Sequence, residues 1–153
     1  MSGAGFQREV PVRFGATDPA GIVYYPFVFD ICHHVFEDFF QDRIGRNYAS
    51  LLTSERTGFP TVHVEADFLA PIRYGERLFV TMSALRIGSS SLTLCFDGVL
   101  EDGRAAFRAK IVKSAASLDT FRALPIPEFL RPHFEAILSV DGARSGSEDP
   151  KGQ

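Results

Sequence analysis

Tryptophan is absent from these 153 residues, and there are only two cysteines, Cys32 and Cys95. Neither sits in a Cys-x-x-Cys or other ligand-like spacing, which argues against a thiolate zinc site and against a disulfide framework. Each falls in an apolar stretch and reads as a small buried hydrophobe. An excess of basic residues is also missing: the net charge is −3, so there is no general attraction for nucleic acid or an anionic membrane. No stretch approaches the ~18 unbroken apolar residues of a membrane span. The opening MSGAGFQREVPVRF lacks the apolar core of a secretory signal, so a cytoplasmic, reducing location is the expectation.

Several catalytic signatures are missing too. There is no GxxxxGK[ST] phosphate loop, no GxGxxG turn, no GxSxG elbow and no HExxH. His33 and His34 are adjacent on a helical stretch and point apart, so they cannot share a metal. His63, Glu65 and Asp67 fall on one face of a strand, a spacing open to a metal but equally that of a solvated or interface-facing sheet surface. The expectation is no metal and no cofactor.

What is present is ordinary in proportion, 45% apolar and 23% charged, except for 15 phenylalanines. These supply large aromatic burial without polar handles. The length fits one domain able to form its own core. Residues 6–14 alternate loosely and predict a first strand, with Pro11 at an edge or bulge. Pro26 opens a long helix ending near Gly45. Val28, Ile31, Cys32, Val35, Phe36 and Phe39 form its apolar stripe. Residues 46–60 read as irregular.

Strands follow at 61–69, 77–87, 91–100 and 105–118. In the first of these Val62, Val64, Ala66 and Phe68 oppose His63, Glu65 and Asp67. In the last, Ala105, Phe107, Ala109 and Ile111 alternate with Arg108, Lys110 and Val112. Asp102-Gly103 marks a hairpin between the last two strands. A short helix is expected over about 127–137, and 139–153 reads as a flexible tail beyond a single domain of residues 1–138. Short-linked strands imply an antiparallel sheet. One long helix must cover its apolar face, giving an α+β layer in which a curved sheet of about five strands wraps one helix. A single helix covers such a sheet incompletely, so at least a homodimer is expected.

The segment with chemical promise is Thr17-Asp18-Pro19-Ala20-Gly21-Ile22-Val23-Tyr24-Tyr25-Pro26. A helix N-terminus offers unpaired N–H groups and positive partial charge. It can polarise a carbonyl and hold the oxyanion formed on attack. A carboxylate near that end can attack the carbonyl or deprotonate a water beside it. The competing reading is a loop aspartate capping a turn, since Asp-Pro commonly begins one.

The run from Arg13 to Pro26 resembles the signature of the 4-hydroxybenzoyl-CoA thioesterase family, approximately [FY]xDxDxxGxVxxxxY. Gly58-Phe59-Pro60, Phe68-Leu69-Ala70-Pro71 with Tyr74-Gly75-Glu76, and Ile87 through Leu92 fall where similar proteins carry comparable motifs. The resemblance covers about residues 8–118. It implies the hot-dog fold and hydrolysis of an acyl-CoA thioester without metal or cofactor. Asp18 would be nucleophile or general base, the Tyr25 N–H would bind the thioester carbonyl, and Gly21 would let chain and substrate approach closely. The acyl group would lie between two subunits.

Tyr24, Val23, His33 and Thr61 are then candidate substrate-binding residues, and Arg86, Ser89 and Ser90 candidates for the CoA phosphates. His33 stands where the family's enzyme carries an acidic residue reading a ring hydroxyl, and is either such a contact or a packed histidine. Instead of that enzyme's basic run, only Gly88-Ser89-Ser90 with Arg86 is present, and charge would come from Arg86, Arg108, Lys110 or Lys113. A benzoyl-type acyl group and a dimer, or a dimer of dimers as a homotetramer, are expected. A non-catalytic acyl-CoA-binding protein on the same fold is the second hypothesis, separable by its failure to release thiol. A hot-dog hydratase is the third, and its Asp–His pattern has no match here.

Overall fold

The computed structural model describes residues 5–139. Alternating apolar residues produce four of the strands of one antiparallel sheet: β3 (Thr61–Phe68), β4 (Arg77–Ile87), β5 (Ser91–Leu100) and β6 (Ala105–Ser114). The fifth is β1 (Phe6–Pro11), and the order is β1-β4-β5-β6-β3. Pro11 ends β1, and β1 is an edge strand, where the missing N–H costs least. The helix α1 (Pro26–Phe39) buries its predicted stripe, Val28 through Phe39, against inner-face residues such as Leu78, Val80, Met82, Leu94 and Phe96. Burying each of these side chains contributes roughly 1.5–3 kcal/mol. An antiparallel sheet of five strands packed on one long helix is the α+β layer that the alternation predicts, and it agrees with the hot-dog fold that the resemblance implies.

The helix ends at Gly45 as expected, with α-helical bonding as far as Phe39. Residues Phe40–Ile44 form one wider π turn, closed by Gly45 in the left-handed region at φ 83°. The N–H groups of both Gly45 and Arg46 donate to Phe40 O, at 2.9 and 3.2 Å. Phe39 and Phe40, like the consecutive pairs Ile31–Cys32 and Val35–Phe36 before them, both enter the core. There they join Phe36, Tyr48, Phe59 and Phe134 in one aromatic cluster.

Other expectations are corrected. Residues 46–60 are not wholly irregular: α2 (Tyr48–Thr53) starts on Asn47, whose side chain accepts from Ser50 N at 2.8 Å. β2 (Thr57–Gly58) pairs with β7 (Ala116–Ser117) as a separate ribbon. The last predicted strand is therefore broken at Ala115. The first strand ends at Pro11 rather than residue 14, and the final helix shortens to α3 (Arg131–Glu135). The β5–β6 register slips between Gly98 and Val99, which turns Ala105 outward and buries Ala106. The ring of Phe107 lies over Gly98 and fills the space a Cβ would need there. The tail expected from 139 lies, beyond Ser139, outside the described residues.

β3 is the other edge of the sheet and has no outer neighbour among the described residues. Its apolar side remains open: Val62, Val64 and Phe68 are 61%, 43% and 50% exposed. His63 Nε2 lies 2.8 Å from Glu65 Oε1 on the opposite side, and this contact, with Lys110 nearby, lowers the Glu65 pKa.

Candidate active site

Asp18 sits in a narrow hairpin between the 3₁₀ turn Phe14–Ala16 and α1. The hairpin is held by a Thr17–Val23 bridge and by bonds from Asp18 N to Ile22 O and Tyr24 N to Ala16 O, both 2.9 Å. At its tip, Gly21 N donates to Asp18 O at 2.9 Å with Gly21 at φ 79°. A Cβ at Gly21 would meet nothing within 4 Å, so glycine serves the backbone conformation here and relieves no crowding. The Asp18 side chain is half-buried. One oxygen, Oδ1, accepts from Ala20 N at 2.9 Å, so the turn-capping reading is correct as far as it goes. The second oxygen has no hydrogen-bond partner among the described residues and is not sealed from solvent. One oxygen anchors the loop while the other remains available.

The returning arm runs directly into the helix. Phe27 N donates to Tyr24 O at 2.9 Å and Val28 N to Tyr25 O at 3.1 Å, and Pro26 has no N–H. That leaves the backbone N–H of Tyr25 as the donor of the first turn without an acceptor among the described residues. Beside it, Ile22, Val23, Tyr25 and Val28 face Phe68–Ile72 and Ala106 across an apolar cleft of about 300 Å³. Asp18 does not line this cleft itself; the hairpin holds it on the neighbouring arm. Tyr24 is exposed, and its ring meets those of Tyr25 and Phe27 edge-on at 5.4 and 6.4 Å.

Farther along the groove between α1 and β3 a second cavity, of about 310 Å³, is lined by Phe29, Cys32, His33, Thr61, Val64, Phe96, Ile111 and Lys113. His33 and Thr61 are thus brought together, along with Lys113, which the sequence offers only as one source of charge for the CoA phosphates. Lys113 is 3% exposed. Burial pushes its pKa down to about 8, against a smaller upward pull from Cys32 and Glu37. Burial, reinforced by Lys113, also lowers the His33 pKa. Burial raises the Cys32 thiol far above its usual value, so it is not a nucleophile. Period-two alternation carries the signal for Lys113, because Ala109 and Ile111 precede it on the inner face.

Ser89 and Ser90 form the β4–β5 turn. The Arg131 guanidinium, which sequence analysis missed, donates to Gly88 O and Ser89 O at 2.6 and 3.2 Å. Arg86 is exposed at the β4 bulge. Arg108 is paired with Asp97 at 3.6 Å and faces away from the helix side. Ser91 pairs with Ser114, so the serine turn adjoins the Thr61 end of β3. The cleft beside Tyr25 adjoins the Phe68 end, and eight strand residues span about 26 Å. A single protomer therefore does not bring Ser89 and Ser90 to Asp18.

Fold and site together define a hot-dog protein with a carboxylate and an unspent helix N–H on one hairpin. Residues 12–134 match the Thioesterase-like superfamily, and the chain belongs to it. Among curated relatives, it is 33% identical over 92 residues to a 1,4-dihydroxy-2-naphthoyl-CoA hydrolase of Nostoc punctiforme, a match spanning 60% of this chain and 62% of that protein. It is 30% identical over 132 residues to the protein of the same name from Prochlorococcus marinus, covering 82% of this chain and 86% of that one. Among solved structures it is similar to a gentisyl-coenzyme A thioesterase, with a TM-score of 0.74, 26% identity and coverage of 82% and 99%. The chain is a thioester hydrolase of the acyl-CoA thioesterase type.

Proposed function

We propose that this protein hydrolyses an aromatic, benzoyl-type acyl-CoA to the free acid and CoA, as in the 4-hydroxybenzoyl-CoA thioesterase family. The observation that carries the mechanism is the pairing, on one hairpin, of the free Asp18 oxygen with the unspent Tyr25 N–H. The thioester carbonyl oxygen accepts from Tyr25 N–H at the positive end of α1. Asp18 attacks the carbonyl carbon or takes a proton from the attacking water. The tetrahedral oxyanion is held by the same N–H, a contact typically worth ~3–4 kcal/mol of barrier. Its collapse expels the CoA thiolate, a good leaving group, and yields the free acid where water attacked, or, where Asp18 attacked, a mixed anhydride that water then cleaves to the acid and free Asp18; the chemistry calls for no cofactor. An aromatic acyl group is supported by the apolar clefts along α1, with Phe29, Phe68 and Phe96 in their walls. The names of the relatives point the same way.

The working unit is at least a dimer. Pairing β3 with its own copy satisfies the open edge and covers Val62, Val64 and Phe68. Antiparallel pairing about a two-fold axis sets the Thr61 end of one strand against the Phe68 end of the other. The serine turn of one protomer is then carried toward the Asp18 hairpin of its partner, where Ser89, Ser90, Arg86 and Arg131 can meet the CoA phosphates. A colorimetric thiol assay with benzoyl-CoA and substituted benzoyl-CoA esters tests this reading. Thiol release is the expected result; tight binding of the esters without release would leave a binding protein instead.

A further inference from the structure

Among the described residues Lys113 is the only buried charged side chain. An ammonium removed from water costs several kcal/mol unless an anion or well-aimed dipoles replace its hydration. Here the replacement is incomplete. Nζ donates to Thr61 Oγ1 at 3.2 Å and to Phe59 O at 3.4 Å, the latter long for a hydrogen bond. It also stands 4.7 Å from the centroid of the Phe36 ring, whose face attracts a cation. No carboxylate among the described residues lies within 4 Å of it. Glu37, one turn beyond His33 on α1, is 3.4 Å from His33 Nε2. What faces Lys113 in place of a counter-ion is open space, the cavity it shares with His33 and Thr61.

We propose that Lys113 determines the specificity of the acyl pocket: with Thr61 and His33 beside it, the ammonium receives an acidic oxygen, phenolic or carboxylic, at the end of the aromatic acyl group remote from the thioester. The inference rests on the thioesterase reading and deepens it. Phe29, Phe96, Val64 and Ile111 supply apolar walls for a ring, so one polar contact at the far end decides which rings are accepted. The groove geometry fits. Tyr25 and His33 lie eight residues apart on one helix, a rise of about 12 Å, and β3 runs alongside from Phe68 to Thr61. An acyl group lying in this groove with its carbonyl at Tyr25 points its distal end toward Lys113. His33, its pKa lowered, adds no second positive charge at neutral pH and can share the same oxygen. The bound acid supplies the counter-ion that is absent among the described residues.

The test measures thiol release by wild type, Lys113→Met and Thr61→Val from matched esters: benzoyl-, 4-hydroxybenzoyl- and 4-carboxybenzoyl-CoA, 2-naphthoyl-CoA with and without a ring hydroxyl, and hexanoyl-CoA. Wild type is expected to favour the oxygen-bearing member of a pair by about 10- to 100-fold in kcat/KM, chiefly through KM, the scale of a hydrogen bond to a charged group. Lys113→Met is expected to bring that ratio close to one, and Thr61→Val to reduce it partway. Equal turnover of paired esters by wild type, a preference that survives in Lys113→Met, or hydrolysis of hexanoyl-CoA alone would overturn the inference while leaving the hydrolase intact. Absence of thiol release from every ester would overturn the hydrolase reading and the inference with it.

Discussion

Replacing Lys113 by methionine is expected to stabilise the protein, and the size and pH dependence of the gain follow from its position. The folded state holds this lysine at a pKa of about 8, against an ordinary value of 10.5. A difference of that size corresponds to about 3 kcal/mol of instability wherever the group is charged in both states. Methionine fills a similar volume without the charge. It forfeits the bonds to Phe59 O and Thr61 Oγ1 and the contact with Phe36, together worth roughly 1–2 kcal/mol, so the net gain at pH 7 is about 1–2 kcal/mol.

Between pH 8 and 10.5 the folded wild type has lost the Lys113 proton while the unfolded chain still binds it, so wild-type stability rises with pH in that window. Relative to the variant, wild type should gain about 2–3 kcal/mol between pH 7 and pH 10. Cys32, buried as a thiol in α1, acts in the opposite direction above pH 9 and is common to both proteins; His33, Glu37 and Tyr48 also face this region and are shared. Urea unfolding of both proteins at pH 7, 8.5 and 10, at one protein concentration, measures the difference. Stability curves that stay parallel across this range, or a variant less stable than wild type at pH 7, would refute the reasoning.

Two further outcomes are expected. Val64→Lys places a charge on the open face of β3, where antiparallel self-pairing needs an apolar surface; sedimentation should show a shift toward monomer, with thiol release falling alongside it. Gly21→Ala should cost about 1–2 kcal/mol in thermal or urea unfolding, because alanine must adopt φ near 79° with nothing crowding its Cβ. The same change should lower kcat more than it raises KM, since Gly21 closes the turn that aims Asp18.

Much of the sheet was legible because its alternation is regular: β3, β4 and β5 fall within a residue of their expected limits. α1 was legible through Pro26, its stripe and the stop at Gly45; the widening of its last turn over Phe40–Ile44 was not. The π turn is a change in backbone bonding, Gly45 N to Phe40 O, with no local sequence signature. The break after Ser114 was hidden for a similar reason. Residues 105–118 read as one run, whereas the chain turns at Ala115 to pair with Thr57 and Gly58. At the site, Asp18, Gly21 and Tyr25 stood out through their motif. Their geometry adds that Oδ1 is committed to Ala20 and that Tyr25 holds the spare donor. Lys113 was legible only as possible charge for the CoA phosphates; its place two residues after Ile111 on the inner face buries it despite its side-chain type. Arg131 could not be tied to the serine turn, since that contact spans more than 40 residues of chain.

The measurement closest to the central claim is single-turnover thiol release by Asp18→Asn, made alongside its unfolding midpoint and its affinity for an acyl-CoA. Asparagine can still accept from Ala20 N, so the hairpin should persist, with the fold and ester binding close to wild type. Release should fall by at least about 100-fold, because the amide can neither attack nor take a proton. Turnover within a few-fold of wild type in a folded, ester-binding variant would remove Asp18 from the chemistry and contradict the account.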